Sequence, residues 1–142
     1  KLDKVQYCRE NVEIIIDLEN IPADLELYSD PSKIRKTLII LMDNALKFTS
    51  KGFVKAGFKP NGKMIQFFVQ DTGIGISEAH QSLIYESFRQ AETDLNRQFD
   101  GMGAGLSIAK SFVEMLKGRI WFESIPEQGT TFYFTIPRGV EP

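Results

Sequence analysis

The stretch FVKAGFKPNGKMIQFFVQDTGIGI, residues 53–76, decides the fold. Asn61-Gly62 is the strongest short hairpin signal, because both residues tolerate the backbone of a tight turn. It predicts two antiparallel strands, Phe53–Lys59 and Lys63–Gln70. In the second, Ile65, Phe67 and Val69 share one face, while Gln66, Phe68 and Gln70 share the other. Asp71 continues the apolar parity, which puts a carboxylate at the strand end on the core side. Asp71 to Ile76 then reads as a glycine-rich turn. A buried carboxylate without a partner is costly, so Asp71 needs a donor, either a backbone N–H or a ligand amine.

Working back toward the N-terminus, Asp30-Pro31 is a helix start, since Asp caps well and Pro suits the first helical position. Ile34, Leu38, Leu41, Met42 and Ala45 follow at helical spacing. That helix is expected to run to about Phe48 and to stop before Gly52. Val12–Leu18 is β-branched and apolar and reads as a strand. Leu25–Tyr28 reads as a second, and the residues after Lys1 as a polar, helix-like stretch. Toward the C-terminus, Glu78–Tyr85 reads as a short helix. Arg89–Gly103 is polar and lacks a period, as expected of a long mobile lid. Gly105–Leu116 reads as a helix with Leu106, Ala109, Val113 and Leu116 on one face, stopped by Gly118. Arg119–Ser124 and Thr130–Ile136 form a closing hairpin around Glu127-Gln128-Gly129.

Adjacent hairpins exclude an all-parallel sheet. The expected architecture is an α+β two-layer sandwich with a mixed, largely antiparallel sheet. Its core should hold Ile34, Leu38, Leu41, Ile65, Phe67, Val69, Leu106, Val113, Phe132 and Phe134.

The chain has 142 residues, enough for one domain with a real core. Hydrophobic residues make up 42% and charged residues 25%, as in an average soluble protein. The net charge of −2, with both signs mixed along the chain, argues against a nucleic-acid surface. No apolar run approaches a membrane span. The lone cysteine, Cys8, can form no internal disulfide. An abrupt polar start at Lys1 and an end soon after Pro137 suggest a single domain, residues 1–142, taken from a longer protein.

Four groups of residues carry chemistry. Asp71 could receive the exocyclic amine of adenine, with Gly73 and Gly75 letting the backbone approach a flat base. A dinucleotide-binding reading fails, because Glu78 stands where the third glycine is required. Asn44 and Lys47 lie three apart on the first long helix, on a face opposite to or beside the apolar stripe. They are either a solvated polar edge or a pair that puts the Asn44 oxygen on Mg²⁺ and the Lys47 ammonium on a phosphate. Gly101-Met-Gly-Ala-Gly-Leu106 opens a helix, whose N-terminus suits phosphate; it is otherwise a flexible entry loop. Thr130 shares parity with Phe132 and Phe134. Its hydroxyl either helps hold a base or is simply a strand threonine.

Together these segments resemble the catalytic ATP-binding domain of sensor histidine kinases. The resemblance rests on Asn44-Ala-Leu-Lys47-Phe-Thr, Asp71-Thr-Gly-Ile-Gly-Ile76, Phe88, Gly101-Met-Gly-Ala-Gly-Leu106 and Gly129-Thr-Thr-Phe132, and covers about Val12 to Pro137. Phe88-Arg-Gln-Ala-Glu92 is similar to the phenylalanine box of hybrid-type kinases. The resemblance implies the Bergerat ATP-binding fold with ATP and Mg²⁺ as cofactors. It implies Mg²⁺ on Asn44, phosphate on Lys47, the nucleoside near Phe48 and the adenine amine on Asp71. Gly73, Gly75, Gly101, Gly103 and Gly105 would shape the pocket and lid, with Ile76, Phe88, Leu106 and Thr130 also around the nucleotide. Arg97 falls where a lid arginine often reaches the phosphates. Two departures stand out. Ile40 replaces an asparagine common four residues before the metal-binding one, and Met102 and Ala104 alter the usual Gly-Thr-Gly-Leu-Gly-Leu.

Gyrase, mismatch-repair and heat-shock chaperone ATPases share the fold and use a Glu at the place of Ile40 to activate water. Isoleucine cannot be a general base. The expected activity is therefore γ-phosphoryl transfer to another protein group. The family's acceptor is a histidine on a separate dimerisation bundle. His80, the sole histidine here, reads as an ordinary surface residue. The implied partners are that bundle and a downstream response regulator or receiver domain. Nucleic acid and direct membrane contact are not implied, and the isolated domain is expected to be monomeric and cytoplasmic, whether or not its parent is membrane-anchored. The competing class is a degenerate, non-catalytic module that binds nucleotide or only a partner.

Overall fold

Strands β4 (Met64–Asp71) and β6 (Gly129–Pro137) pair antiparallel in the interior of the sheet, with Phe67 opposite Phe134 and Asp71 opposite Thr130. Built outward from them is a six-stranded sheet of order β1-β2-β3-β4-β6-β5. Its other strands are β1 (Lys4–Arg9), β2 (Val12–Asp17), β3 (Gly52–Asn61) and β5 (Arg119–Ile125). Among the described residues, only β2 and β3 run parallel, and three helices accompany the sheet: α1 (Pro31–Lys47), α2 (Glu78–Arg89) and α3 (Gly103–Met115). The structure is a computed structural model that describes residues 4–9, 11–17, 29–89 and 103–139.

The central hairpin forms as expected, displaced by one residue. Asn61 pairs with Met64, so Gly62 and Lys63 make the turn, with Gly62 at φ 64°. Alternation then does the sorting. Ile65, Phe67 and Val69 are buried, and Phe67 stacks on Phe134 with ring centroids 4.7 Å apart. Nine of the ten expected core residues are buried; Leu38 packs against the core while partly exposed.

α1 starts where the Asp30-Pro31 pair predicts. The Asp30 carboxylate accepts from the Ser32 N–H at 2.9 Å and holds the Lys33 ammonium at 2.8 Å. Phe48 closes the helix, its N–H donating to the Asn44 carbonyl at 3.2 Å. α3 ends differently from expectation. Lys117, not Gly118, takes the left-handed conformation, at φ 69°. Gly118 is needed for space, because a Cβ there would meet the Thr135 carbonyl oxygen at 1.8 Å.

Two further expectations are corrected. The N-terminal stretch contains a strand, β1, rather than a helix, since pairing with β2 supplies hydrogen bonds that its own sequence cannot. α2 continues four residues beyond Tyr85, to Arg89. The expected strand Leu25–Tyr28 and most of the expected lid, residues 90–102, lie outside the described residues.

Candidate functional site

A cleft opens between the last turn of α1, the turn after β4 and the start of β6. It is lined by Asn44, Ala45, Phe48, Asp71, Gly75, Ile76, Thr130 and Phe132. Its cavity volume is ≈ 20 Å³, room for about one water molecule.

Asp71 sits at the end of β4 facing inward, and is buried. Its Oδ1 accepts the Gly73 N–H at 2.8 Å. The Thr130 N–H also donates to this carboxylate, across the β4–β6 pair. Burial pushes the Asp71 pKa above the usual carboxylate range, and the two backbone donors pull it partly back.

The turn after Asp71 is tied down at both ends. Thr72 Oγ1 accepts the Phe53 N–H at 2.9 Å, and the Ile74 N–H reaches the Phe48 carbonyl at 3.2 Å. The Ile74 carbonyl in turn accepts the Glu127 N–H from the β5–β6 turn at 2.5 Å. Gly73 has no room for a side chain, since a Cβ would lie 2.2 Å from the Phe48 carbonyl oxygen. The glycines thus let this turn lie flat against α1's end on one side and the β5–β6 turn on the other.

Asn44 lies beside the apolar stripe of α1 rather than opposite it. It is 6% exposed, between buried Leu41 and Ala45, and it lines the cleft. Its Nδ2 has no hydrogen-bond partner among the described residues, and the same holds for the buried Thr49 Oγ1 nearby in sequence. Turning the amide over exchanges its oxygen and nitrogen, which puts an acceptor where the orphaned donor stands. Lys47, one turn on, is exposed.

The remaining expected site residues are less gathered. Leu106 is fully buried in the core and does not line the cleft. Gly105, in the first turn of α3, serves the packing of α3 on α1, since a Cβ there would come within 3.1 Å of Ile40 Cγ2. Gly103 begins α3, and Phe88 lies on α2 in a part where only the backbone is described. Arg97, Gly101 and Met102 lie outside the described residues. Thr49 and Ser124 were missed. Ser124 carries a readable signal, because Ile120, Phe122 and Ser124 alternate toward the core as Asp71 does at the end of β4.

Residues 29–140 match the family described as "Histidine kinase-, DNA gyrase B-, and HSP90-like ATPase". The chain belongs to this family. Among these ATPases it resembles the autoinducer 2 sensor kinase/phosphatase LuxQ of Vibrio vulnificus, with 37% identity over 137 residues, which is 92% of this chain and 16% of that protein. Full-length ShkA, solved in complex with AMPPNP, shares the fold at a TM-score of 0.71 and 27% identity, over 90% of this chain and 26% of that one. The nucleotide-free catalytic domain of histidine kinase ThkA does so at 0.70 and 27%, over 91% of this chain and 80% of that one. The ATPase-family chain described here is an ATP-binding catalytic domain of the histidine-kinase type. No helix among its described residues is long and apolar enough to cross a membrane.

Proposed function

We propose that this domain binds ATP with Mg²⁺ in the cleft and passes the γ-phosphoryl group to a histidine on a separate dimerisation bundle. The observation that carries this is Asp71, a buried carboxylate held by the Gly73 and Thr130 N–H groups at the wall of a largely apolar cleft. A carboxylate so placed suits the adenine amine and repels a carbonyl at the same position. Phe48, Ile76 and Phe132 offer apolar surface to the base.

The donor set fits Mg²⁺. Asn44 lines the cleft and its buried amide nitrogen has no partner among the described residues, and Mg²⁺ takes hard oxygens from few protein groups, keeping water and phosphate for the rest. Asn44 would hold the ion, which supplies charge neutralisation at the phosphates. Lys47 would add a point charge there. Arg97 and the glycines Gly101, Gly103 and Gly105 are proposed to complete the phosphate side, with Gly73, Gly75, Phe88, Leu106 and Thr130 supporting the nucleoside side.

Ile40, where the hydrolysing relatives carry Glu, cannot activate water, and its side chain packs toward α3. Phosphoryl transfer to a protein acceptor is therefore the favoured reaction. The domain is proposed to be one part of a longer two-component kinase, monomeric on its own and cytoplasmic, with a response regulator or receiver domain downstream. His80 is exposed at the start of α2 and bonded to Ser77 Oγ at 2.9 Å, which suits a capping residue rather than an acceptor.

Calorimetric titration with ATP, with and without Mg²⁺, tests the pocket. One-to-one binding that tightens with Mg²⁺ is expected. Labelled ATP should then leave the domain unlabelled but label a supplied histidine-bearing bundle; stable label on His80 would sink the assignment. The departures at Met102 and Ala104 favour one second reading, a degenerate module that signals without catalysis. No binding at millimolar ATP would select it.

A further inference from the structure

Ser124 stands next to Thr130 on the inward face of the sheet, and its hydroxyl has three neighbours. It accepts the Ile76 N–H at 2.8 Å. The Thr130 hydroxyl lies at 2.8 Å, with either oxygen able to donate. The Gly129 carbonyl lies at 3.2 Å and can only accept. A serine hydroxyl has one hydrogen to give. If that hydrogen goes to Gly129, Thr130 must donate to Ser124 and offers the cleft only lone pairs. If it goes to Thr130, the Thr130 hydrogen is free to point into the cleft. The choice made at Ser124 therefore sets whether Thr130 is a donor or an acceptor there.

We propose that Ser124 is a positioning residue for the nucleobase, acting by setting the hydrogen-bond polarity of the Thr130 hydroxyl. The inference rests on the ATP-binding reading. Adenine's exocyclic amine, the donor proposed for Asp71, has the ring acceptor N1 beside it. Thr130 is the cross-strand neighbour of Asp71, and directly opposed side chains are spaced to contact one flat ligand edge. N1 requires a donor, so with adenine bound the Ser124 hydrogen turns from Gly129 to Thr130 and the Thr130 hydrogen goes to N1. The bond given up is the longer one. The Ile76 N–H keeps Ser124 in place throughout, and Gln81 Nε2 steadies the same corner by donating to the Ile76 carbonyl at 2.7 Å.

Affinities for Mg²⁺-ATP and for Mg²⁺-1-deaza-ATP, which lacks the N1 acceptor, separate this role from a structural one. Ser124→Ala leaves the Thr130 oxygen without the donor that anchors it, so its hydrogen is no longer directed at N1; ATP is expected to weaken about 3–10-fold, the effect of one hydrogen bond, while 1-deaza-ATP changes by less than about twofold. Ser124→Thr, which keeps the hydroxyl, should restore wild-type ATP affinity. Equal losses for both nucleotides would mean that Ser124 only props the Ile76 turn and would overturn the proposal, as would no loss for ATP. Should Ser124→Ala not fold, Thr130→Val must give the same selective loss, and an unselective one overturns it equally. Wild-type protein that binds neither nucleotide would remove the ATP-binding reading itself. Wild-type binding with an unaffected Ser124→Ala removes only this inference.

Discussion

Gly75 and the carbonyl oxygen of Ile125 are so close that a Cβ on Gly75 would lie 2.3 Å from it, and Gly75 also takes φ 72°. Strain and collision therefore act together. Gly75→Ala is expected to cost about 2–4 kcal/mol of stability, of which roughly 1–2 is the left-handed backbone. It should also abolish ATP binding by moving Ile76. Gly62→Ala is the control, with φ 64° and open space around it, and should cost only the backbone share. Urea midpoints for the two variants check this; similar values would refute the contact.

Phe67 lies between Phe58, at 5.3 Å, and Phe134, at 4.7 Å between ring centroids. Truncation leaves a cavity that neither ring can fill from within a strand. Phe67→Ala should cost about 3–5 kcal/mol. A loss below about 1 kcal/mol in equilibrium unfolding would contradict the packing.

Asn44 sets stability against binding. Its buried amide leaves one atom unpaired, and removing an unsatisfied group offsets much of the packing lost. Asn44→Ala should shift stability by no more than about 1 kcal/mol while ending the Mg²⁺-dependent tightening of ATP. Thermal melts and paired titrations measure both. Equal ATP affinity with and without Mg²⁺ in the wild type would defeat the metal assignment.

Asp71 makes a pH prediction. Burial raises its pKa in the folded state, so between the unfolded and folded values the folded protein holds more protons, and stability falls as pH rises. The contribution is most favourable below the unfolded pKa, declines through the raised one, and is flat above it. Asp71→Asn removes this titration and keeps an oxygen for the Gly73 N–H. Its stability relative to wild type should rise across that acidic window and then level off, as followed by melts at stepped pH. ATP affinity should drop about 10–100-fold, the effect of a charge-assisted hydrogen bond. A wild-type gap that does not change with pH would exclude the buried charge.

Residues 53–76 made the β3–β4 hairpin legible, because Asn61-Gly62 and the Ile65-Phe67-Val69 alternation are local signals. The parity of Asp71 was legible for the same reason. β1 was not. Val5 and Tyr7 alternate with Lys4 and Gln6, too short a pattern to outweigh their polar surroundings, and the strand exists through its pairing with β2. The turn between them was marked by Asn11, which holds φ 63°, a conformation asparagine tolerates. The burial of Asn44 was hidden because helical spacing gives a face but not the neighbour that covers it. The inward parity of Ser124 was readable in the same way as that of Asp71, but its contact with Thr130 depends on the β5–β6 register.

The pairing of Asp71 with Thr130 has a consequence for how the domain comes to be functional. These two residues are far apart in sequence, separated by α2 and α3. Their meeting requires closure of a long chain segment, the kind of contact that slows folding relative to a helical bundle. Residues 44–76 supply most of the cleft lining, but Thr130 and Phe132 join it only on this closure, so nucleotide is expected to favour chains that have completed this step. ATP present during synthesis or refolding would then draw the population toward the finished fold by mass action, making the ligand a selective stabiliser of its own binding domain.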